Sequence, residues 1–203
     1  MNKEIDELII KKFNINGDGP PFKSRGGTRE MLAAFMNEVG FRSGAEIGVK
    51  KGEYSERLCR NMRGLKLKSV DPWHGFRRNS QKRMDIYYKI TCDTLSQYGV
   101  EIIRKTSMEA VKDVPDSSLD FVYIDAMHEF DLVMMDIILW VPKVRNGGIV
   151  SGHDYTPRTV FCGVMEAVNA YTQAHNIKRW YITDGDRERG NNHGVPSWFW
   201  VRE

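Results

Sequence analysis

The sequence predicts an α/β fold: a doubly wound, mostly parallel sheet of seven strands whose C-terminal strand runs antiparallel. Three observations predict it. Short apolar runs alternate with stretches of helical period from residue 45 onward, the pattern of strand-helix-strand units around a parallel sheet. Two of those runs, Phe121-Val122-Tyr123-Ile124 and Ile149-Val150, stop at polar residues: Asp125 with His128, and His153 with Asp154. Finally, the segment 184–196 between the last two apolar runs is too short for a crossover helix and its turns, so those runs form an antiparallel hairpin.

The chain has 203 residues, enough for one domain with a sizeable core. Hydrophobic residues at 41% and charged residues at 28% describe a folded chain rather than a disordered one. A net charge of +3 is too small a bias to argue for nucleic acid. Cys59, Cys92 and Cys162 are odd in number and lack zinc-site spacing, which points to reduced thiols and a cytoplasmic location. No apolar run reaches membrane-spanning length, and the charged start is no signal peptide, so no membrane partner is expected.

Ile5, Leu8, Ile9 and Phe13 fall at helical spacing over residues 3–13, before a breaker run rich in Asn, Gly and Pro. This helix packs on the domain or on a partner chain, and a homodimer is one form the latter takes. Residues 1–27 are thus an N-terminal helix and linker, and 28–203 the main domain. Thr28 can cap a helix over 29–39 with an apolar stripe, stopped by Gly40.

Glu46, Gly48 and Gly52 mark the exit of the first strand of the main domain, where glycines allow a tight turn beside a ligand. The spacing Glu-x-Gly-x-x-x-Gly lacks the third glycine of the dinucleotide fingerprint, which argues against an oxidoreductase and is by itself generic. The next strand ends in Asp71, an acid placed to accept hydrogen bonds from ribose hydroxyls. Residues 74–78 form either a lid over substrate or a solvated basic loop, and 79–98 a helix with Met84, Tyr87, Tyr88, Ile90, Thr91 and Leu95 mostly on one side. After a third strand, Ser107 and Met108 either border an adenine ring or serve as helix N-cap and core residue. In an open parallel sheet, side chains just beyond the carboxyl ends of the strands face the ligand crevice. Asp125, His128, His153 and Asp154 therefore meet there.

The order of elements and these motifs resemble the class I S-adenosylmethionine-dependent methyltransferases, whose sheet is Rossmann-like. Within them, IDAMHEF followed by GGIVSGHDY is similar to small-molecule O-methyltransferases of the macrocin O-methyltransferase type, and more distantly the catechol type. The resemblance implies that Glu46, Gly48 and Gly52 hold the methionine part of S-adenosylmethionine, Asp71 its ribose, and Ser107 with Met108 its adenine. It further implies a divalent metal, magnesium or manganese, at Asp125, His153 and Asp154, with Asp125 and His128 catalytic and His128 in the position of the general base. His153 departs from the pattern, since an acid is usual there and imidazole suits magnesium poorly. The reaction implied is methyl transfer to a hydroxyl of a small molecule, such as a sugar or a glycosylated metabolite. The alternatives are a metal-independent methyltransferase, and a cofactor-binding interaction module without turnover.

Overall fold

The structure is a computed structural model that describes residues 2–15, 17–76, 79–157, 162–185 and 194–203. Arg77 and Arg78 of the expected lid, and 186–193 of the last connection, lie outside the described residues. The described elements form a single sheet in the order β1-β7-β8-β6-β5-β2-β3-β4. The strands are β1 Phe22–Lys23, β2 Ser43–Ile47, β3 Lys66–Val70, β4 Glu101–Ile103, β5 Leu119–Ile124, β6 Val144–Gly152, β7 Trp180–Ile182 and β8 Trp198–Val201. β8 pairs antiparallel with both β6 and β7, and every other pairing is parallel. The doubly wound sheet and its antiparallel C-terminal strand are therefore as the sequence predicts. The strand count differs: two-residue β1 adds an eighth, too short to carry any alternation a sequence could show.

Alternation along the central strands sends neighbours to opposite faces, as a pleated strand requires. Val122 and Ile124 join one core with Ile137 and Trp140 of α6 (Phe130–Trp140) and Val168 of α7 (Val164–Ala174). Phe121 and Tyr123 join the other, with residues of α1 (Asn2–Lys12), α2 (Arg29–Glu38) and α3 (Glu53–Asn61). With both faces covered, the strands read as continuous apolar runs.

The N-terminal helix packs on the domain. Ile9 and Phe13 at its end are buried, and the Phe13 ring lies 5.3 Å from that of Phe199 on β8 and 5.9 Å from Phe35 on α2. Asp6 accepts a hydrogen bond from the Tyr181 hydroxyl at 3.0 Å and pairs with Arg179 at 3.3 Å, fastening α1 to β7. Thr28 caps α2 as expected, its hydroxyl accepting from the Met31 N–H at 3.2 Å.

The helix after β3, α4 (Gln81–Leu95), departs from its pattern. Of its expected stripe only Thr91 and Leu95 are buried, and Ile90 is exposed. The reason is position: α4 leads to β4, a three-residue strand at the sheet edge, which leaves little surface to cover. Among the described residues no helix is long and apolar enough to cross a membrane.

Candidate active site

The register of β5 and β6 brings the two polar strand ends together. Ile124 pairs with Gly152, so Asp125 and His153 leave the sheet side by side. The backbone holds them there: Asp125 N–H donates to the Ile47 carbonyl at 2.7 Å, and His153 N–H to that of Ile124 at 3.0 Å. Asp154 takes a left-handed backbone, φ 59°, which turns its carboxylate back toward the β5 side. His128 Nε2 then lies 3.0 Å from Asp154 Oδ2 and 3.8 Å from Asp125 Oδ1. His153 Nδ1 lies 3.4 Å from Asp154 Oδ2 and 3.9 Å from Asp125 Oδ2.

Ligand atoms from Asp125, His128 and Asp154 all lie within 4.8 Å of one another. Of the expected trio Asp125, His153 and Asp154, the two carboxylates belong to this group and His153 stands beside it. The turn at Asp154 aims its carboxylate at His128, which is the more exposed imidazole at 42% against 14% for His153. Trp198 Nε1–H donates to the His153 carbonyl at 3.1 Å and steadies that stretch from β8.

The charges fit this packing. Hydrogen bonding to Asp125 and to Asp154 pushes His128 up to about 10, and by distance Asp154 is the nearer partner. Burial opposes protonation of His153, yet Asp154 and the Asp125 charge raise it overall. Burial alone would raise Asp154, but its bonds to His128 and His153 outweigh this and hold it well below the usual carboxylate range. The carboxylates of Asp125 and Asp154 favour the protonated imidazolium of His128. It accepts a proton only when other positive charge takes its place at Asp125 and Asp154.

The first turn is built differently from its outline in the sequence. Asp71 is buried, and its Oδ2 accepts from the N–H groups of Val49 at 3.0 Å and Lys50 at 2.9 Å, while Oδ1 accepts from Trp73 N–H at 2.7 Å. Three of its roughly four acceptor positions are thus taken, two by the turn after β2 and one by its own loop. Glu46 is fully buried and accepts from the Ser55 hydroxyl, which in turn contacts Ser69 Oγ at 2.7 Å. Burial pushes its carboxyl up to about 8 against the opposing Ser55 bond. Its carboxyl therefore lies within the packing between β2 and α3.

Gly48 serves a close approach. At φ +94°, its added Cβ would stand 2.1 Å from the Asp125 carbonyl oxygen and 2.5 Å from Ala126 Cα. Gly52, at φ +80°, begins α3. Gly48→Ala is expected to destabilise the fold by about 2 kcal/mol or more, from left-handed strain plus a clash with backbone that cannot rotate away. Thermal melting would check this, and an unchanged melting temperature would refute the packing role.

Ser107 and Met108 separate. The helix N-cap is Thr106, in a capping box with Glu109, so the alternative of Ser107 as cap with Met108 in the core is corrected. Ser107 Oγ accepts from Trp140 Nε1–H at 2.7 Å and donates to Asp136, whose carboxyl burial pushes up to about 6 against that bond. Met108 is 50% exposed just past the carboxyl end of β4.

A charged residue outside the expected set also reaches the crevice. The Arg29 guanidinium stands 5.1 Å from the ring centroid of Tyr54, whose other neighbour is Tyr123, with ring centroids 4.2 Å apart. Its charge acts on Glu46, Tyr123 and His153, at β2, β5 and the end of β6. A signal for it does exist in the sequence: a cation in the first turn of a helix opposes the helix dipole and needs another reason to be there.

Residues 45–155 match the profile of a family described as a methyltransferase domain, and the chain belongs to that family. The uncharacterized protein y4gI of Sinorhizobium fredii is 31% identical over 100 residues, 48% of this chain, which spans 11% of that protein's length. The O-methyltransferase TomG of Streptomyces achromogenes, solved in complex with SAM, superposes with TM-score 0.60 at 14% identity, over 86% of this chain and 79% of its own. The O-methyltransferase from Bacillus cereus, solved in complex with SAH, gives 0.59 at 14% identity, over 98% and 91%. At these identities the two structures share the fold.

Proposed function

We propose that this methyltransferase moves a methyl group from S-adenosylmethionine to a hydroxyl of a small molecule, assisted by a divalent cation. The observation that carries the reading is the convergence of Asp125, His128 and Asp154 at the carboxyl ends of two neighbouring strands. The cofactor-bound fold neighbours support the donor. The carboxylates of Asp125 and Asp154 fit a divalent cation, with His153 beside them as the nitrogen that would join the set while His128 is left for proton transfer. A nitrogen ligand favours manganese or a later transition metal over magnesium. Such a cation, held by Asp125 and Asp154, would lower the pKa of the acceptor hydroxyl.

The chain's own residues supply positioning and the proton path. In the transfer the hydroxyl oxygen bonds to the methyl carbon as the carbon–sulfur bond breaks, leaving S-adenosylhomocysteine and a proton. His128, exposed on the crevice side and hydrogen-bonded at Nε2, is placed to take that proton once its own has been displaced. In-line approach to the methyl group depends on holding the acceptor in place, and the backbone bonds of Asp125 and His153 keep this rim rigid.

A second, metal-independent reading is favoured by one observation: the His128–Asp154 pair at 3.0 Å is complete within the protein. Calorimetry with S-adenosylhomocysteine, followed by acceptor-panel assays with chelator and with added manganese, separates the possibilities. The metal-assisted reading expects cofactor binding that survives chelation and turnover that does not. Turnover that withstands chelation selects the second reading. Binding without methyl transfer to any acceptor selects a cofactor-binding module, and no binding at all overturns the S-adenosylmethionine assignment.

A further inference from the structure

We propose that the outer face of α6 is the interface through which two copies of this chain dimerise, about a two-fold axis at Met135. The N-terminal helix does not offer that route, since α1 lays its apolar side on its own domain. The helices on the opposite face of the sheet are covered less completely. On α6, Leu132 and Met135 are each 42% exposed and Ile138 is 51% exposed. The one charged residue between them, Asp136, is buried against Ser107. Spaced by three residues, the three apolar side chains form one stripe along the helix. Met108, at the start of neighbouring α5 (Ser107–Ala110), adds to the exposed apolar surface. Single exposed apolar residues are ordinary, whereas a grouped set marks an interaction site.

The pattern of the stripe identifies what covers it. A two-fold axis through Met135 carries position 132 onto 138, so Leu132 of one copy lies beside Ile138 of the other and the two Met135 side chains meet. The stripe is its own complement, as an isologous contact requires. Methionine on the axis also adapts readily to the facing surface. Two α6 helices paired in this way run antiparallel, and their ends carry opposite charge. Glu129 and Asp131 stand at the amino end. At the carboxyl end Lys143 pairs with Asp116, and Arg202 donates to the carbonyls of Pro142 and Val144, which leaves that end net positive. Each acidic end therefore comes to the basic end of the other copy.

Size fits as well. The helix is about 16 Å long at 1.5 Å per residue. With α5 and α7 packed on its two sides at helix spacings of about 8–10 Å, the layer is on the scale of an interface of standard size, roughly 800 Å² per partner. Other occupants fit less well. A small ligand needs a concave site, and α6 presents a convex ridge. A lipid surface selects helices flanked by Lys and Arg, and its anionic headgroups would repel the acids at the amino end of α6.

Sedimentation of the full chain tests this. The wild-type chain is expected to form a dimer at tens of micromolar, and Met135→Leu to keep it. Met135→Lys and Met135→Glu each bring like charges together on the axis and are expected to weaken association roughly a hundred-fold or more. Mixing the two charged variants sets lysine against glutamate across the axis, which should restore a dimer containing one copy of each. A mixture that stays monomeric would overturn the two-fold contact at Met135. So would a dimer that the charged variants leave intact, because its interface would lie elsewhere, or a wild-type chain that stays monomeric. A monomer that floats with anionic vesicles would give the face to a lipid surface instead. Met135 is exposed in the single chain, so each variant is expected to keep the wild-type circular dichroism. Loss of that signal would make Met135 a residue of the fold and overturn the proposal as well.

Discussion

Asp154→Ala is expected to lower turnover about a thousand-fold while leaving affinity for S-adenosylhomocysteine within about two-fold. The size follows from what the carboxylate does in the folded chain. It is the 3.0 Å partner of His128 and the 3.4 Å partner of His153, and it faces Asp125 across the cleft between β5 and β6. Removing it takes away one of two carboxylates fit to hold a cation and the nearer partner that orients the proton-handling imidazole. Loss of an acid–base group alone reduces rates by roughly a hundred-fold to ten-thousand-fold. The turn after β2, which the family resemblance gives to the cofactor, lies on the other side of β5 and is fastened by Asp71, so cofactor binding is expected to be spared. The measurement is single-turnover methyl transfer to any acceptor that the wild-type chain methylates, beside calorimetry. A rate within ten-fold of wild type would remove Asp154 from the chemistry. A parallel collapse of cofactor affinity would show a folding role instead.

The parts of this site that were legible in the sequence are those written in strand ends. Asp125, His128, His153 and Asp154 each follow a recognisable apolar run, and strand adjacency alone brings them together. What could not be read is how side chains choose among neighbours. That both His128 and His153 meet the two carboxylates, His128 the more closely, goes with one left-handed residue, Asp154, and nothing in HDY announces that backbone. Ser107 looks open at its strand end, yet it is held by Asp136 and Trp140, residues 29 and 33 positions later on another helix. Gly48 reads as a ligand glycine, and nothing local shows that it also makes room for the backbone of Asp125 and Ala126. Spacing locates a residue along the chain, whereas its role here is fixed by contacts between elements far apart in sequence.

Glu46 carries that lesson furthest, and it gives the last prediction. The family resemblance implies that Glu46 holds part of the cofactor, and β2, which carries it, is the central strand between β5 and β3, buried on both faces. Its carboxyl is bonded to Ser55 inside the packing, and burial raises it from an ordinary 4.5 to about 8. The sign of the stability effect follows from proton counting. Below pH 4.5 both folded and unfolded chains hold the proton, and pH has no effect through this group. Between 4.5 and 8 the unfolded chain has released it and the folded chain retains it, so stability falls as pH rises. Above 8 both are ionised and the deficit is constant, at most roughly 5 kcal/mol at about 1.4 kcal/mol per unit. Glu46→Gln keeps the shape and an acceptor for Ser55 without an ionisable group. The ligand-free variant is expected to match wild type near pH 4.5 and to melt progressively higher than wild type up to pH 8, after which the gap levels off. Denaturant midpoints across that range measure the same quantity. Parallel curves for the two proteins would mean that Glu46 is ionised in the folded chain, and would return it to the crevice as a charge available to the cofactor.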